Sequence, residues 1–576
     1  MSLALRKKLG LSVLALGLVV GACAPAAAPV PAAPAAPSTA PVAPSAPVPA
    51  APVAPAAPQA RATPAPAPAV IPTSTPLPRA QQEGPRRGGI LLASNSGDPG
   101  HLDPHQRRGI VLHSLSNVIY TQVVKWDPEK PQSVMADLAE RWETSQDGTT
   151  YTFYLRKNVK WQDGKPFTSA DVVWSLNRLR DETSPFAVLL AAVDKVEAVD
   201  AFTVRIKTRF ITGSMLYNLA TGWIVIGPKH IGDAQGNLRT TAVGTGPFKF
   251  KSFTPNVVFE VVRNPDYYVK GSPYLDGIRT FLIADASTRL AAFRTGQVKW
   301  IDASVPLNPK DSETIKRAMP GAVVYEIDRL KGNVFFMNAN QKPWNDVRVR
   351  RAMYLAFDRQ GAIQVLGAGV GTLRLAMLTG DWAMPSSEVA KLPGFRQPKD
   401  ADRAEAKKLL AEAGYPNGFE TVILTRSDDP AYVRMAEFSA NQLGTIGIRA
   451  RIDPQTSAIY LDRKDRLQYD SMAITPVLDN FDPDGGSRYF RSPNESGFKD
   501  PEMDRIFDLQ AQTLDTAKRR ELTLQLEKRV MDQGWYVTTH WDTNYMFGWP
   551  EVRNATPRFL GSNSNARLPE YIWLAQ

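Results

Sequence analysis

Cysteine is nearly absent from this sequence: Cys23 is the only one in 576 residues, and histidine occurs only five times. A single cysteine excludes a disulfide within the chain. The common catalytic motifs are missing too, because no G-x-S-x-G, H-E-x-x-H or P-loop pattern occurs and Gly244-Thr-Gly246 lacks the third glycine of a dinucleotide fingerprint. These absences predict that the protein is not an enzyme and carries no cofactor.

Long hydrophobic runs are also missing. The most apolar stretch, residues 9–20, is shorter than the roughly 20 residues that a membrane-spanning helix needs. It follows the basic residues 6–8 and runs into Val20-Gly-Ala-Cys23, so residues 1–23 are predicted to be an export signal. Those last four residues resemble the bacterial lipoprotein box, which implies lipid attachment at Cys23. The alternative is an ordinary signal peptide that happens to contain cysteine.

Residues 24–84 consist mostly of alanine and proline. Proline removes backbone donors and favours extended conformations, and this stretch has too little bulky apolar surface to form a core. We therefore predict a disordered tether. The remaining roughly 490 residues exceed the size that one hydrophobic core usually serves, which predicts two or three lobes.

The charge of the chain excludes one class of partner. The formal net charge is +11, but the basic residues are interspersed with 57 acidic ones. Such a mixture is typical of a solvated surface rather than of a nucleic-acid-binding patch. No nucleic-acid partner is therefore expected.

Alternating and amphipathic stretches are interleaved along the rest of the chain, which predicts an α/β protein. Residues 151–156 and 257–262 have the alternation or β-branched content of strands. Helices are predicted at residues 346–358, 402–414 and 503–531, the last with Asp515 as a candidate break.

A fourth helix is predicted from its N-terminal signal. Thr168-Ser-Ala-Asp171 is typical of a capping box, in which the first and fourth residues each bond the other's backbone. The apolar residues after it fall on one helix face: Val172, Val173, Leu176 and Leu179.

Three histidines lie close together: His101, His105 and His113, with Asp103 between the first two. Histidine and carboxylate are ligands that transition metals accept. Residues 102–104 read as a turn, however, and a metal site needs ligands on rigid elements. The histidines are therefore expected to be solvent-exposed, and no metal site is predicted.

Carboxylate pairs and tryptophans are the remaining candidates for a site. Asp428-Asp429 and the pair Asp482 and Asp484 would suit acid–base chemistry only if burial shifted their pKa values, and surface loops are expected instead. Most of the 12 tryptophans are expected in the core, because an indole ring buries a large apolar area. Trp382 lies in a predicted loop and is the candidate to line a ligand pocket.

A series of motifs resembles one protein family. The run from Ala139-Glu-Arg-Trp142 to Val159-Lys-Trp-Gln-Asp-Gly-Lys-Pro-Phe-Thr-Ser-Ala-Asp-Val-Val-Trp174 resembles the signature segment of the family 5 extracytoplasmic solute-binding proteins. These are the oligopeptide, dipeptide and nickel receptors of ATP-binding-cassette (ABC) importers. Further matches follow in the family's order: Leu102-Asp-Pro104, Gly244-Thr-Gly-Pro-Phe248, Asn264-Pro-Asp-Tyr267, and residues 346–359 and 406–416.

The resemblance implies a two-lobed α/β fold like that of periplasmic binding proteins (type II, cluster C), with an extra subdomain in the first lobe. Lobe I is predicted at residues 85–122, 221–325 and 545–576, the extra subdomain at residues 123–220, and lobe II at residues 326–544. Crossing strands would join the lobes. Ligand would bind in the cleft between them and become enclosed as the lobes close.

The function implied is that of a substrate-binding lipoprotein of an ABC importer, which captures peptides or peptide-like solutes and delivers them to permease subunits with cytoplasmic ATPases. In peptide-binding members an aspartate anchors the α-ammonium group of the ligand. Asp479 corresponds to that anchor, and Asp482 to the Asp-Pro turn that follows. The implied protein is monomeric and lies in the periplasm or at the cell surface, held to the membrane by its lipid.

Two alternatives stay open. The same scaffold could bind an opine, an oligosaccharide or a nickel or other metal chelate, because function depends on the site and not on the fold. The chain could also be an exported sensor or hydrolase. Catalytic turnover that is lost when one polar cleft residue is changed would support the hydrolase. A ligand-dependent partner other than a permease would support the sensor.

Overall fold

The computed structural model describes residues 84–575, with gaps at 108, 128–132, 302–308, 379, 475–481, 493, 495 and 556–568. Residues Gln82–Gln576 form one unit, separate from Met1–Gln81. The predicted signal and tether lie outside the described residues.

The strands are β1 (Ile90–Asn95), β2 (Val124–Trp126), β3 (Val134–Ala136), β4 (Ala139–Thr144), β5 (Thr150–Leu155), β6 (Val193–Asp200), β7 (Thr203–Thr208), β8 (Phe248–Thr254), β9 (Val258–Arg263), β10 (Gly277–Leu282), β11 (Trp300–Ile301), β12 (Val323–Met337), β13 (Glu420–Arg426), β14 (Arg449–Gln455), β15 (Ser471–Ile474), β16 (Tyr536–Gly548), β17 (Val552–Arg553) and β18 (Trp573–Leu574).

The helices are α1 (Ile110–Ser116), α2 (Ser169–Leu179), α3 (Met215–Leu219), α4 (Lys229–Gln235), α5 (Ala286–Arg294), α6 (Pro309–Ala318), α7 (Val347–Ala356), α8 (Arg359–Val365), α9 (Ser386–Val389), α10 (Asp400–Glu412), α11 (Pro430–Gly444), α12 (Ser457–Asp465), α13 (Ser487–Phe490), α14 (Pro501–Ala511) and α15 (Thr516–Gln533). Short 3₁₀ helices occur at Ala187–Leu190, Gly380–Trp382, Pro483–Gly486 and Pro569–Tyr571.

A ten-stranded sheet runs through the unit in the order β14-β13-β15-β12-β16-β11-β1-β10-β9-β8. The long antiparallel strands β12 and β16 lie at its middle and pair from Val323 opposite Gly548 to Phe336 opposite Tyr536. We call β11, β1, β10, β9 and β8 the first half of the sheet, and β15, β13 and β14 the second half. The two crossing strands connect the halves, as the family resemblance predicts.

A separate four-stranded antiparallel sheet, β4-β5-β7-β6, lies between β1 and β10 along the chain. We call it the inserted sheet. The alternation in β5 buries Tyr151, Phe153 and Leu155, and α2 packs on β6 and β7. The boundaries predicted for the lobes and the extra subdomain remain predictions.

Local sequence signals placed the helices well. Asp171 accepts a hydrogen bond from Thr168 N at 2.9 Å, and Val172, Leu176 and Leu179 of α2 are buried, while Val173 is partly buried. The predicted break at Asp515 is confirmed: α14 ends at Ala511 and Asp515 caps α15, its carboxylate accepting from Lys518 N at 2.7 Å.

The predicted exposure of the histidines is wrong for two of the three. His105 and His113 are 3% and 4% exposed. His105 Nε2 bonds Val225 O at 2.8 Å, and the imidazole of His113 lies edge-on to Trp223 with ring centroids 4.0 Å apart. Burial lowers the pKa of His105 to about 4, with Arg178 adding to the effect. These two rings pack in the core because neutral imidazole is compatible with an apolar environment.

Within the described residues, no helix is both long and apolar enough to cross a membrane.

Candidate functional site

The predicted ligand contacts fall in the second half of the chain. Asp479 lies outside the described residues, as does the predicted lipid-attachment residue Cys23. Asp482 and Trp382 are described, and the structure brings both against one residue of α15, Arg519.

Asp482 is buried and not in a surface loop as predicted. The residue is 2% exposed, and its carboxylate caps the start of the 3₁₀ helix Pro483–Gly486 by accepting from Asp484 N at 3.0 Å. Both carboxylate oxygens accept hydrogen bonds from the Arg519 guanidinium, at 2.6 Å each. Burial raises the pKa of the Asp482 carboxyl, against the attraction of Arg519. Its role as a ligand contact remains a prediction.

Arg519 is the residue that sequence reasoning missed. Its guanidinium also donates through Nε to the backbone and side-chain oxygens of Gln510, both at 3.0 Å. A planar guanidinium matches a carboxylate in a two-bond fork, which makes arginine suited to buried ion pairs. Arg519 shares a helix face with the buried residues Leu522 and Leu526, but the sequence does not show which distant carboxylate pairs with it.

Trp382 ends the 3₁₀ helix Gly380–Trp382 and is 2% exposed. The guanidinium carbon of Arg519 lies 5.0 Å from the centroid of its ring, and Tyr217 of α3 meets the ring edge-on with centroids 6.4 Å apart. Its indole Nε1 is buried and has no hydrogen-bond partner in the part of the chain that the structure describes. A buried indole N–H usually finds an acceptor. Trp382 therefore has a free donor, and its contact with ligand remains a prediction.

Another indole donor lies on the crossing strands. Trp541 of β16 is 1% exposed, and its Nε1 has no partner among the described residues. It stands opposite Gly332 of β12, where a Cβ would lie 3.3 Å from the Trp541 ring and 3.4 Å from Met377 Sδ. The absence of a side chain at Gly332 lets the indole lie close to the neighbouring strand.

The same strands carry a polar cluster beside Trp541. Asn333 Nδ2 donates to Asp542 Oδ1 at 2.7 Å and lies 3.2 Å from His540 Nε2. His540 is buried and Asp542 is partly exposed. The two strands therefore place donors and acceptors at the middle of the sheet, where the halves meet.

Metal-binding and acid–base groups were the other candidates from the sequence. Across the part of the chain that the structure describes, no group of three or more His, Cys, Asp or Glu side chains is placed to hold a metal ion. Asp482 is held by Arg519, and Asp428 lies at the surface, paired with Arg426. The buried tryptophan donors are suited to binding.

The sheet with two crossing strands and the inserted sheet define the class: a two-lobed α/β binding protein of the periplasmic type. The family described as "Bacterial extracellular solute-binding proteins, family 5 Middle" matches residues 133–498. The chain therefore belongs to the family 5 extracellular solute-binding proteins.

Relatives and solved structures agree with this assignment. The glutathione-binding protein GsiB of Salmonella choleraesuis is 28% identical over 354 residues, 61% of this chain and 66% of that protein. The chain thus spans about two thirds of the length of that relative. Heme-binding protein A of Haemophilus influenzae is 28% identical over 75% of this chain and 83% of its own.

Among solved structures, the binding protein AgaA of A. tumefaciens R10 in complex with agropinic acid is 26% identical. Its TM-score is 0.67, and the alignment covers 85% of this chain and 99% of AgaA.

Proposed function

We propose that this protein is an extracytoplasmic substrate-binding lipoprotein of an ABC importer, and that its solute is a peptide or a peptide-like molecule. The observation that carries the proposal is the pair of crossing strands joining two halves of one sheet, in a chain that belongs to family 5. Such strands are the hinge about which two lobes close on a solute. The GsiB relative, which binds the small peptide glutathione, supports the ligand class.

Binding and release follow from the hinge. Open and closed states exchange, and a solute that contacts both lobes favours the closed state in proportion to its differential affinity. The free N–H groups of Trp382 and Trp541 are suited to carbonyl or carboxylate oxygens, which peptides supply. The closed protein then delivers its solute to the permease subunits, and no covalent chemistry on the solute is needed.

Non-peptide solutes are the second candidate. The observation in their favour is the AgaA complex, in which a family-like scaffold holds agropinic acid. The heme-binding relative adds a third kind of ligand on the same architecture. Identification of the bound solute separates these classes.

The solute and its anchor are tested together. We expect the full-length protein, purified gently from its native host, to release one peptide per molecule on denaturation, as detected by mass spectrometry. Asp479→Asn should raise the Kd for that peptide at least about tenfold, because losing a charge-assisted bond to a buried ammonium costs more than 1.4 kcal/mol. The control is Asp428→Asn, which changes an exposed carboxylate and should leave the Kd unchanged.

Either part can fail separately. A stoichiometric opine, oligosaccharide or metal chelate in the wild-type protein would retain the receptor and refute the peptide. An unchanged Kd for the peptide in Asp479→Asn would refute the anchor.

The lipid anchor has its own test. We expect wild-type protein in the membrane fraction of the native host and Cys23→Ser in the soluble fraction, because the thiol is the group that accepts the lipid. Mass spectrometry of the N-terminal peptide should show a diacylglyceryl addition on Cys23. Equal membrane association of the two proteins would refute anchoring at this residue.

A further inference from the structure

Two segments far apart in the chain meet away from the crossing strands. One is residues 211–217, which follows the inserted sheet and enters α3. The other is residues 511–519, the corner where α14 ends and α15 begins. Gly213 N donates to Ala511 O at 2.7 Å, which makes a backbone hydrogen bond between them. We call this contact the clasp.

Side chains extend the contact on both sides of that bond. Tyr217 meets the edge of Trp382, which lies over Arg519. On the other side, Leu514 Cδ1 and Ile211 Cγ2 both lie against Gly148 of the inserted sheet, at 3.1 and 3.4 Å from where its Cβ would be. Tyr151 Oη of β5 donates to Thr212 O at 3.0 Å and so ties the segment to the inserted sheet.

Glycine at position 213 is required by the closeness of the two backbones. A Cβ there would lie 2.9 Å from Thr513 O, 3.1 Å from Arg519 Cζ and 3.2 Å from Arg519 Nη1. Real Cβ atoms do not approach backbone oxygens so closely, and a backbone cannot yield as a flexible side-chain end does. The φ angle of Gly213 is outside the left-handed region, so alanine there adds no backbone strain. The cost of that side chain therefore comes from the contact alone.

The two segments of the clasp belong to different halves of the chain's large sheet. Residues 211–217 lie between β1 and β10 of the first half, whereas residues 511–519 lie between β15 and β16, on the side of the second half. The halves are joined through β12 and β16, so hinge motion about these strands separates the two segments. The internal bonds of Arg519, to Asp482 and Gln510, all stay within the second segment's half and survive that separation.

From these observations we infer that the clasp is a closure contact, and that Gly213 and Tyr217 set the balance between open and closed protein without touching solute. This inference rests on the proposed function for its effect on binding. Among the described residues, the clasp consists of one backbone hydrogen bond and the side-chain contacts named above. So small a set of contacts can break and form again reversibly. Weakening it lowers the closed population, and the apparent Kd rises by the same factor.

The test measures closure without any solute. Cys23→Ser removes the only native thiol from the full-length chain, and cysteines replacing the exposed residues Lys207 of β7 and Lys518 of α15 carry spin labels. Double electron–electron resonance then gives the distance across the clasp. We expect Gly213→Ala to shift the distribution to longer distances. The matched control, Gly444→Ala, adds the same methyl where nothing lies within 4 Å and should leave the distances unchanged.

A second variant and a measurement of solute binding complete the test. Tyr217→Ala removes the ring from Trp382 without adding an atom and should lengthen the same distance, which covers the case that Gly213→Ala fails to fold. Both variants should also bind the co-purified small molecules, detected by mass spectrometry, about tenfold more weakly than the wild type.

Unchanged distances in both folded variants would overturn the clasp. The variants could show longer distances while neither they nor the wild type carries any solute. That outcome would support the clasp and refute the proposed function.

Discussion

Glutamine at position 527 is expected to stabilise this protein by about 3 kcal/mol at pH 7. Glu527 of α15 is fully buried, and its Oε2 accepts one hydrogen bond, from Met384 N at 2.8 Å. Its Oε1 has no hydrogen-bond partner within the described ranges. Burial raises the pKa of this carboxyl to about 8, with the Met384 bond and Arg374 opposing the rise. The folded protein therefore holds a proton that the unfolded chain releases.

The sign of the pH dependence follows from that proton. Between about pH 4.5, near the pKa of an unfolded glutamate, and about pH 8, the folded state binds more protons than the unfolded state. Stability is therefore fully present at low pH and falls as the pH rises through this window. Glutamine mimics the protonated carboxyl, keeps an oxygen for Met384 N and does not titrate.

Chemical denaturation between pH 4.5 and pH 8.5 checks this result. The advantage of Glu527→Gln over the wild type should be near zero at pH 4.5 and grow with pH. The control Glu521→Gln changes an exposed carboxylate on the same helix and should have the same stability as the wild type throughout. Parallel curves for Glu527→Gln and the wild type would show that the carboxyl titrates normally.

Methionine at position 359 should have an effect of similar size and opposite sign. Arg359 opens α8, is 1% exposed, and lies between the rings of Tyr354 and Phe395, 4.4 and 4.1 Å from their centroids. Its partners are backbone carbonyls, and the shortest bonds run to Gly394 O at 2.6 Å and Thr538 O at 2.8 Å. Burial lowers its pKa to about 10.

These contacts set the expected cost. Methionine fills the space between the rings but removes the Arg359 donor from Thr538 O and Tyr354 O, at about 1 to 3 kcal/mol each, whereas Gly394 O keeps its bond from Lys399 Nζ at 2.9 Å. Relief of the buried charge offsets part of this, so we expect a net loss of about 3 kcal/mol in the free energy of unfolding. Lysine should also destabilise, because an ammonium neither stacks on both rings nor forks between two carbonyls.

Urea unfolding at pH 7 measures both substitutions. Arg351→Met alters an exposed arginine on α7 and should stay within about 0.5 kcal/mol of the wild type. If Arg359→Met lowers the free energy of unfolding by less than about 1 kcal/mol, water must hydrate the carbonyls that have lost Arg359 as a donor.

Both substitutions act on the frame around the candidate site. The Met384 amide bonded by Glu527 lies two residues after Trp382, and the Thr538 carbonyl bonded by Arg359 belongs to crossing strand β16. A change in the unfolding free energy is therefore expected without a change in which solute is bound.

Much of the local structure could be predicted from the sequence. The capping box at Thr168, the start of the helix at Asp346 and the break at Asp515 were each found because the signals at helix ends involve residues two or three apart. The order of short motifs likewise indicated the family, which the match over residues 133–498 shows.

The candidate site could be predicted only in part. Asp482 was identified by a motif, but its expected place at the surface was wrong, because its partner Arg519 lies 37 residues further along the chain. Nothing in the local sequence distinguishes a paired, buried aspartate from a solvated one. The exposure expected for His105 failed for the same reason, since its buried contacts include Val225, 120 residues away.

By itself, the sequence determined where helices begin and end, which segments alternate as strands, and which family the chain resembles, because those properties depend on neighbouring residues. The tertiary structure decided the rest. It placed β12 beside β16 and β1 beside β10, buried Arg519, Arg359 and Glu527 among many exposed charges, and brought Gly213 against Ala511. The reason is that burial and long-range pairing depend on contacts between segments distant in the chain, and local sequence patterns do not specify those contacts.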